Sequence, residues 1–211
     1  MLAGRTLTRV VDDAFDRRVV AGRALTAAAP SVAAAALAMA RRFAAGGRLI
    51  VFGAGAASTD AQHVVVEFLH PVVVGKRALP AIGLTSDVAT LTDIATREGS
   101  HAIFASQLRQ LAAPSDIALG IVGEPAHVAA VRPALDEAGR RGLLNIVLHG
   151  TDDAASGLAV DHTLSAPAPD ALLAKELRVT LYHTLWELVH VFLDQPGVAG
   201  QPAVASTARR A

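Results

Sequence analysis

A histidine and a glutamate four residues apart, His63 and Glu67, are the side chains of this sequence best suited to chemistry. On a helix, positions i and i+4 share a face, so this spacing would point the imidazole and the carboxylate into the same space. Such a pair can exchange protons with a bound metabolite. The alternative is an ordinary i,i+4 pair on a helix surface.

A glycine-containing turn precedes this pair. Gly53 and Gly55 follow a short apolar run and allow a tight turn with close backbone approach. Ser58, Thr59 and Asp60 are predicted to cap the helix that follows. A helix start offers free N–H groups and the positive end of the helix dipole, which suit an anion such as phosphate. The pattern therefore suggests a phosphorylated metabolite, and the alternative is a plain turn between a strand and a helix.

Composition limits the class of protein. The 211 residues are 52% hydrophobic and 18% charged, which predicts one globular domain with a substantial core. The formal net charge is zero and there is no basic run, so direct nucleic-acid binding is not expected. There is no cysteine, which excludes thiolate chemistry and cysteine-based metal sites. Lysine occurs only at Lys76 and Lys175.

No membrane association is expected. The alanine-rich stretch 27–45 is interrupted by Pro30 and Ser31 and ends close after two arginines, so it is too short and broken to span a bilayer. The first residues lack the basic and apolar regions of a signal peptide. We therefore expect a cytoplasmic protein.

Strand-like and helix-like segments alternate along most of the chain. Residues 5–45 are predicted to form a helical pair divided at Pro30 and Ser31. The predicted strands are 48–53, 79–84, 116–122, 144–149 and 160–165, and the predicted helices are 57–70, 87–112, 126–141 and 170–193. This order predicts a three-layer α/β/α fold with a five-stranded parallel sheet. Residues 1–194 would form one domain, followed by a mobile tail, 195–211.

Loops at the carboxyl ends of the strands should form the rim of one crevice, where parallel sheets bind ligands. The predicted rim is 53–59, 84–87, 122–127 and 149–153. A dinucleotide cofactor is disfavoured, because the stretch 71–77 lacks the acidic residue expected about twenty positions after the glycines.

The element order and the first motif together resemble the sugar isomerase (SIS) superfamily, and within it the phosphoheptose isomerases. The resemblance covers residues 5–193. The segments that carry it are Gly46-Gly47, Gly53-Ala-Gly55, the stretch from Asp60 to Glu67, Leu79-Pro-Ala-Ile, Ile103-Phe-Ala-Ser, Asp116-Ile-Ala-Leu-Gly-Ile and Leu181-Tyr-His183. It implies a flavodoxin-like sheet, a homotetramer with active sites at subunit interfaces, and a sugar phosphate as substrate. The implied reaction interconverts sedoheptulose 7-phosphate and D-glycero-D-manno-heptose 7-phosphate through an enediol.

The resemblance also implies roles for individual residues. Glu67 would be the base and His183 the partner acid, and both would bind zinc together with His63. The fourth ligand of the family, a glutamine, is replaced by Lys175, whose ammonium has no lone pair to give. We therefore expect weak or absent zinc binding, with His63, Glu67 and His183 still clustered. A protonated Lys175 can pair with Glu67 in place of the metal, and the alternative is that it extends into solvent.

The phosphate-binding loop departs most from the family pattern. A serine of the family turn is Ala57 here, and the hydroxyl-rich loop after the third strand is replaced by residues 122–127, which include Glu124 and Pro125. A carboxylate repels phosphate and proline has no N–H, so this loop predicts weak phosphate binding. The predicted substrate-binding set is Gly53, Gly55, Ser58, Thr59, Glu124 and Lys175. Ser58 and Thr59 either bind the anion or only cap the helix.

Two functions are compatible with these residues. The first is aldose–ketose isomerisation of a sugar phosphate, supported by His63, Glu67 and His183. The second is a non-catalytic SIS protein that binds a sugar phosphate or a partner protein, as relatives that associate with the replication initiator do. Its support is the altered phosphate loop together with Lys175.

Overall fold

Five short segments form the strands of one parallel sheet in the computed structural model, which describes residues 7–150, 157–195 and 197. The strands are β1 (Leu49–Gly53), β2 (Ala81–Gly83), β3 (Ile117–Val122), β4 (Leu144–His149) and β5 (His162–Ser165). Their order is β2-β1-β3-β4-β5, and every pairing is parallel. The predicted fold class is confirmed. Asp152, Asp153 and nearly all of the predicted mobile tail lie outside the described residues.

Helices cover both faces of the sheet. They are α1 (Leu7–Ala24), α2 (Ala29–Ala44), α3 (Ala57–Leu69), α4 (Val88–Arg97), α5 (Ile103–Leu111), α6 (Val128–Arg140) and α7 (Ala171–Leu193). Side chains alternate along the central strands: Leu49 and Val51 pack in the core with α2, α3 and α7, whereas Ile50 and Phe52 pack in the core with α5 and α6. A strand buried on both faces reads as a nearly continuous apolar run, which explains why β1, β3 and β4 could be predicted.

One predicted helix is in fact two. The segment 87–112 is broken after α4, because Gly99 adopts φ +95°, a left-handed conformation that ends a helix and strongly favours glycine. A 3₁₀ turn, Ser100–Ala102, then leads into α5. The prediction of one continuous helix was therefore wrong.

The break between the two N-terminal helices also differs from the prediction. The chain leaves α1 through a 3₁₀ turn at Leu25–Ala28, and Pro30 lies inside the first turn of α2. Proline fits there because the first N–H groups of a helix have no partner within it. Pro30 therefore marks the start of the second helix rather than the break.

The run Leu7–Ala44 is long and apolar enough to cross a membrane by length and composition alone. Its second half is nevertheless a core helix of this domain. Ala35, Ala36, Met39 and Ala40 in α2 are fully buried, and α2 packs against α7. The structure thus accounts for the apolar character of α2 by packing within the protein.

A buried carboxylate ties the amino ends of the two central strands together. Asp116 Oδ1 accepts from the backbone N–H of Arg48 at 2.9 Å, and Oδ2 accepts from Arg48 Nη2 at 2.8 Å and from the Ala113 N–H at 2.9 Å. Arg48 precedes β1 and Asp116 precedes β3, so this network holds the ends of neighbouring strands opposite the predicted crevice.

Candidate active site

Three of the predicted site residues converge where α3 packs against α7. His63 and Glu67 lie on α3 and His183 lies on α7, and one ligand atom from each of the three falls within 4.8 Å of the others. Glu67 Oε1 is 3.2 Å from His63 Nε2 and 3.9 Å from His183 Nε2. The glutamate side chain is mostly buried and the two imidazoles are about half exposed, so the cluster faces solvent on one side.

Tyr182 orients the His63 ring from the side opposite Glu67. The tyrosine hydroxyl lies 2.7 Å from His63 Nδ1, and the two rings meet edge to face. Burial, followed by the charges of Asp60 and Glu67, raises the pKa of Tyr182, so its hydroxyl keeps its proton near neutral pH. An ionised Glu67 can only accept, which places a His63 proton on Nε2 and leaves Nδ1 to accept from the tyrosine.

Trp186 fixes the backbone carbonyl group of Glu67. Its indole Nε1 donates to the carbonyl oxygen of Glu67 at 2.9 Å. Tyr182, His183 and Trp186 all lie on α7. This one helix therefore supplies His183 to the cluster and also the contacts that orient His63 and Glu67.

The local environment keeps His183 neutral near pH 7. Burial lowers the pKa of His183, the Glu67 charge partly offsets this effect, and a charge on His63 would lower the pKa further. A neutral imidazole has a free lone pair, which can accept a proton or bind a metal ion.

The donor set fits a zinc ion with three protein ligands. Zinc bonds of about 2.0–2.2 Å to nitrogen and oxygen place tetrahedral ligand atoms about 3.3–3.6 Å apart, which lies between the separations of 3.2 Å and 3.9 Å observed around Glu67. Two histidines and a glutamate with an open fourth position are a known ligand set of catalytic zinc sites.

Lys175 neither pairs with Glu67 nor extends freely into solvent, so both interpretations of this residue were wrong. Its Nζ donates to Asp60 Oδ1 at 2.9 Å and to Thr59 Oγ1 at 3.0 Å. Asp60 is almost completely buried and provides a closer carboxylate for the ammonium. Lys175 therefore does not fill the centre of the His63, Glu67 and His183 cluster.

The predicted capping of α3 was also wrong. The helix begins at Ala57 after Ala56, with no side-chain cap, so Ser58, Thr59 and Asp60 lie in its first turn. Thr59 Oγ1 donates to the Ala56 carbonyl, and Asp60 engages Lys175. Ser58 is half-buried and Thr59 is exposed. Their predicted role in substrate binding stays a prediction.

The glycine turn and the loop after β3 meet at the carboxyl edge of the sheet. Gly55 has φ +59°, and a Cβ at this position would clash with the ring of His127. A Cβ on Gly53 would lie 2.9 Å from the Ala57 carbonyl oxygen. These glycines therefore allow a close approach that other residues would prevent. Glu124 is exposed, so its carboxylate can remain in water.

Sequence reasoning missed Arg178. This residue lies on α7, three positions after Lys175, and only 3% of it is exposed. Its Nε is 3.5 Å from Asp60 Oδ2, so Arg178 and Lys175 approach the same carboxylate. The available signal was helical spacing: Arg178 shares a face of α7 with Ala174, Leu181 and Leu185, an apolar stripe on which a solvated charge is not expected.

The chain belongs to the SIS domain family, whose model matches residues 17–149. Within that family it is similar to phosphoheptose isomerases. It is 34% identical to the phosphoheptose isomerase of Solidesulfovibrio magneticus over 192 residues, which is 90% of each chain. The resemblance inferred from the motifs is thereby confirmed.

Solved structures of phosphoheptose isomerases share this fold. The enzyme from Francisella tularensis superposes with a TM-score of 0.80 and 28% identity, covering 89% of this chain and 100% of that one. The enzyme from Neisseria gonorrhoeae gives a TM-score of 0.75 at 28% identity, covering 87% and 98%. The similarity therefore extends over nearly the whole of both solved chains.

Proposed function

We propose that this protein is a phosphoheptose isomerase that interconverts sedoheptulose 7-phosphate and D-glycero-D-manno-heptose 7-phosphate. The observation that carries the proposal is the cluster of Glu67 with His63 and His183 at the contact of α3 and α7. Relatives named phosphoheptose isomerase align over most of the chain and support the same substrate class. The protein would act on a soluble metabolite in the cytoplasm.

Glu67 has the position and surroundings of the base. Its carboxylate would take the proton from the carbon next to the substrate carbonyl and return it to the neighbouring carbon, with an enediol between the two steps. His183, neutral and 3.9 Å from Glu67, would move a proton between the two substrate oxygens. His63 donates to Glu67 and would hold the carboxylate in place.

His63, Glu67 and His183 would also hold a zinc ion. When bound, zinc would polarise the substrate carbonyl and stabilise negative charge on its oxygen. We expect this binding to be weaker than with all four family ligands, because the position of the fourth carries Lys175, whose ammonium cannot donate a lone pair and adds a positive charge.

The direct test is turnover of sedoheptulose 7-phosphate by the purified protein and by Glu67→Gln and His183→Asn variants. Both variants should lose at least about 100-fold in kcat, the usual contribution of one acid or base. Glu98→Gln, in the helical layer on the other face of the sheet, is the matched control and should remain active. Bound sugar phosphate without turnover in the unaltered protein would instead support the non-catalytic alternative.

We also propose that the protein forms a homotetramer, or at least a dimer. Helix α1 buries only Ala21 and exposes large apolar side chains, among them Val11, Phe15 and Val20. Such a surface is characteristic of a contact between subunits. A partner subunit would then complete the site, as the family resemblance implies.

A further inference from the structure

We propose that Arg178 binds the phosphate group of the substrate from within the crevice, assisted by Lys175. The proposal rests on the sugar-phosphate isomerase function. It assigns the anion-binding role to a side chain of α7 instead of to hydroxyl groups of the loop after β3.

The guanidinium of Arg178 is buried without adequate partners. Only 3% of the residue is exposed, and Nε and Nη1 have no hydrogen-bond partner among the described residues. The only carboxylate paired with it there is that of Asp60, 3.5 Å from Nε, with no hydrogen bond between them. A buried guanidinium with open donors is costly, so an acceptor from outside the described chain would stabilise it.

The charges around Asp60 do not balance. Its one carboxylate faces two cations, with Lys175 Nζ at 2.9 Å from Oδ1 and Arg178 Nε at 3.5 Å from Oδ2. One positive charge therefore remains. The first turn of α3, to which Asp60 belongs, adds the positive end of the helix dipole, although the N–H groups of residues 57–59 already donate to backbone carbonyls. The remaining charge and the helix dipole both favour an anion at this place.

The guanidinium also lies where a ligand of a parallel sheet would bind. A Cβ on Gly150, which follows β4, would lie 2.9 Å from Nη1, and a Cβ on Gly123, which follows β3, would lie 3.6 Å from Nη2. Both glycines stand at the carboxyl ends of neighbouring strands, and Gly123 also lies next to the start of α3, since its Cβ would be 3.4 Å from that of Ala57. Their missing side chains leave room for the guanidinium at this edge.

An arginine suits phosphate better than a hydroxyl does. The planar guanidinium can donate two parallel hydrogen bonds to phosphate oxygens and remains charged at every relevant pH. Arg178 would therefore supply donors that the loop with Glu124 and Pro125 lacks. The expectation of weak phosphate binding considered only that loop.

The test compares phosphate binding in Arg178→Met, which keeps much of the side-chain volume, and Arg178→Lys, which keeps the charge but loses the planar group. Calorimetry with inorganic phosphate and with sedoheptulose 7-phosphate measures affinity independently of turnover. We expect about 100-fold weaker binding of both ligands for Arg178→Met and about tenfold for Arg178→Lys. Binding of unphosphorylated sedoheptulose should be unchanged. Arg97→Met, on exposed α4, is the matched control.

The outcomes separate this inference from the proposed function. If unaltered protein turns over sedoheptulose 7-phosphate and neither Arg178 variant changes the affinity or KM by more than twofold, Arg178 does not bind the phosphate. If turnover is absent but phosphate binds and depends on Arg178, the inference holds and the isomerase assignment fails. If Arg178→Met does not fold, Arg178→Lys decides: phosphate should raise the Tm of unaltered protein clearly more than that of the lysine variant, and equal increases would overturn the inference.

Discussion

The Tyr182 hydroxyl lies 2.7 Å from His63 Nδ1, on the side of the ring opposite Glu67. This contact joins α7 to α3 and fixes the plane of the His63 imidazole. The hydroxyl can donate to Nδ1 when Nε2 carries the proton, and it can accept from Nδ1 when a metal engages Nε2. One tyrosine therefore supports His63 in either state.

Replacing Tyr182 by phenylalanine should weaken metal binding while keeping the fold. The ring would still pack against His63 and His183, but the hydrogen bond that orients His63 would be lost. Partners of this kind typically contribute about 10–100-fold to metal affinity. Competition with a chromophoric zinc chelator measures the effect, and circular dichroism checks the fold. Unchanged zinc affinity would show that packing alone orients the imidazole.

Replacing Lys175 by glutamine should raise zinc affinity by at least about tenfold, since it removes a positive charge and adds a neutral oxygen donor. Lys175→Leu separates these effects, because it removes the charge without adding a ligand. An increase in the glutamine variant only would identify ligation as the cause. Stoichiometric zinc in unaltered protein purified without added metal would contradict the expected weak binding.

Asp116 should contribute stability that acid removes. Burial alone would raise the pKa of this carboxyl, but hydrogen bonds from Arg48 and the Ala113 N–H, with the Arg48 charge, lower it below 3.8. Because the folded pKa lies below the unfolded value, the stabilisation is complete above about pH 3.8 and is lost as pH falls through the folded pKa.

Asp116→Asn should therefore reduce the free energy of unfolding at pH 7 by about 1–3 kcal/mol, since buried donors lose an ionised acceptor. The difference from unaltered protein should shrink under acid conditions. Urea unfolding between pH 3 and pH 7 measures it. Asp93→Asn, which breaks the exposed ion pair with Arg97, is the control and should have little effect. A pH-independent difference would show that the charge of Asp116 is not responsible.

Phe15→Glu should convert the proposed oligomer to smaller species. Phe15 is 65% exposed in the isolated chain and shares a face of α1 with Val11 and Val19. A buried unpaired carboxylate would oppose association of that face. Sedimentation velocity at micromolar concentration measures the size. Val88→Glu alters a comparably exposed valine on α4 and should leave the assembly intact. A monomeric unaltered protein would contradict the oligomer proposal.

The sequence predicted the sheet well because the fully buried strands β1, β3 and β4 are short, mainly apolar runs, and the pairing of His63 with Glu67 followed from helical spacing alone. His183 was placed by family resemblance, since only the packing of α3 on α7 brings it to Glu67. Side chains with a supporting role were harder to predict. Tyr182 reads as one more apolar residue of α7, and its contact with His63 depends on how that helix is rotated.

Predictions from local sequence patterns also failed where long-range contacts determine the structure. The Lys175 partner was mispredicted because the sequence does not show that Asp60, in the first turn of α3, lies nearer than Glu67. The break between α1 and α2 was misplaced because proline ends a preceding helix or begins a new one with similar ease.

The contact between Tyr182 and His63 spans 119 positions of the chain. During synthesis, β1 to β4 and α3 leave the ribosome before α7 does. The polypeptide can thus begin to build its sheet while it still lacks His183 and the tyrosine that orients His63. The assembled cluster of His63, Glu67 and His183 is therefore a late product of biosynthesis, present only once the helix that ends at Leu193 has docked.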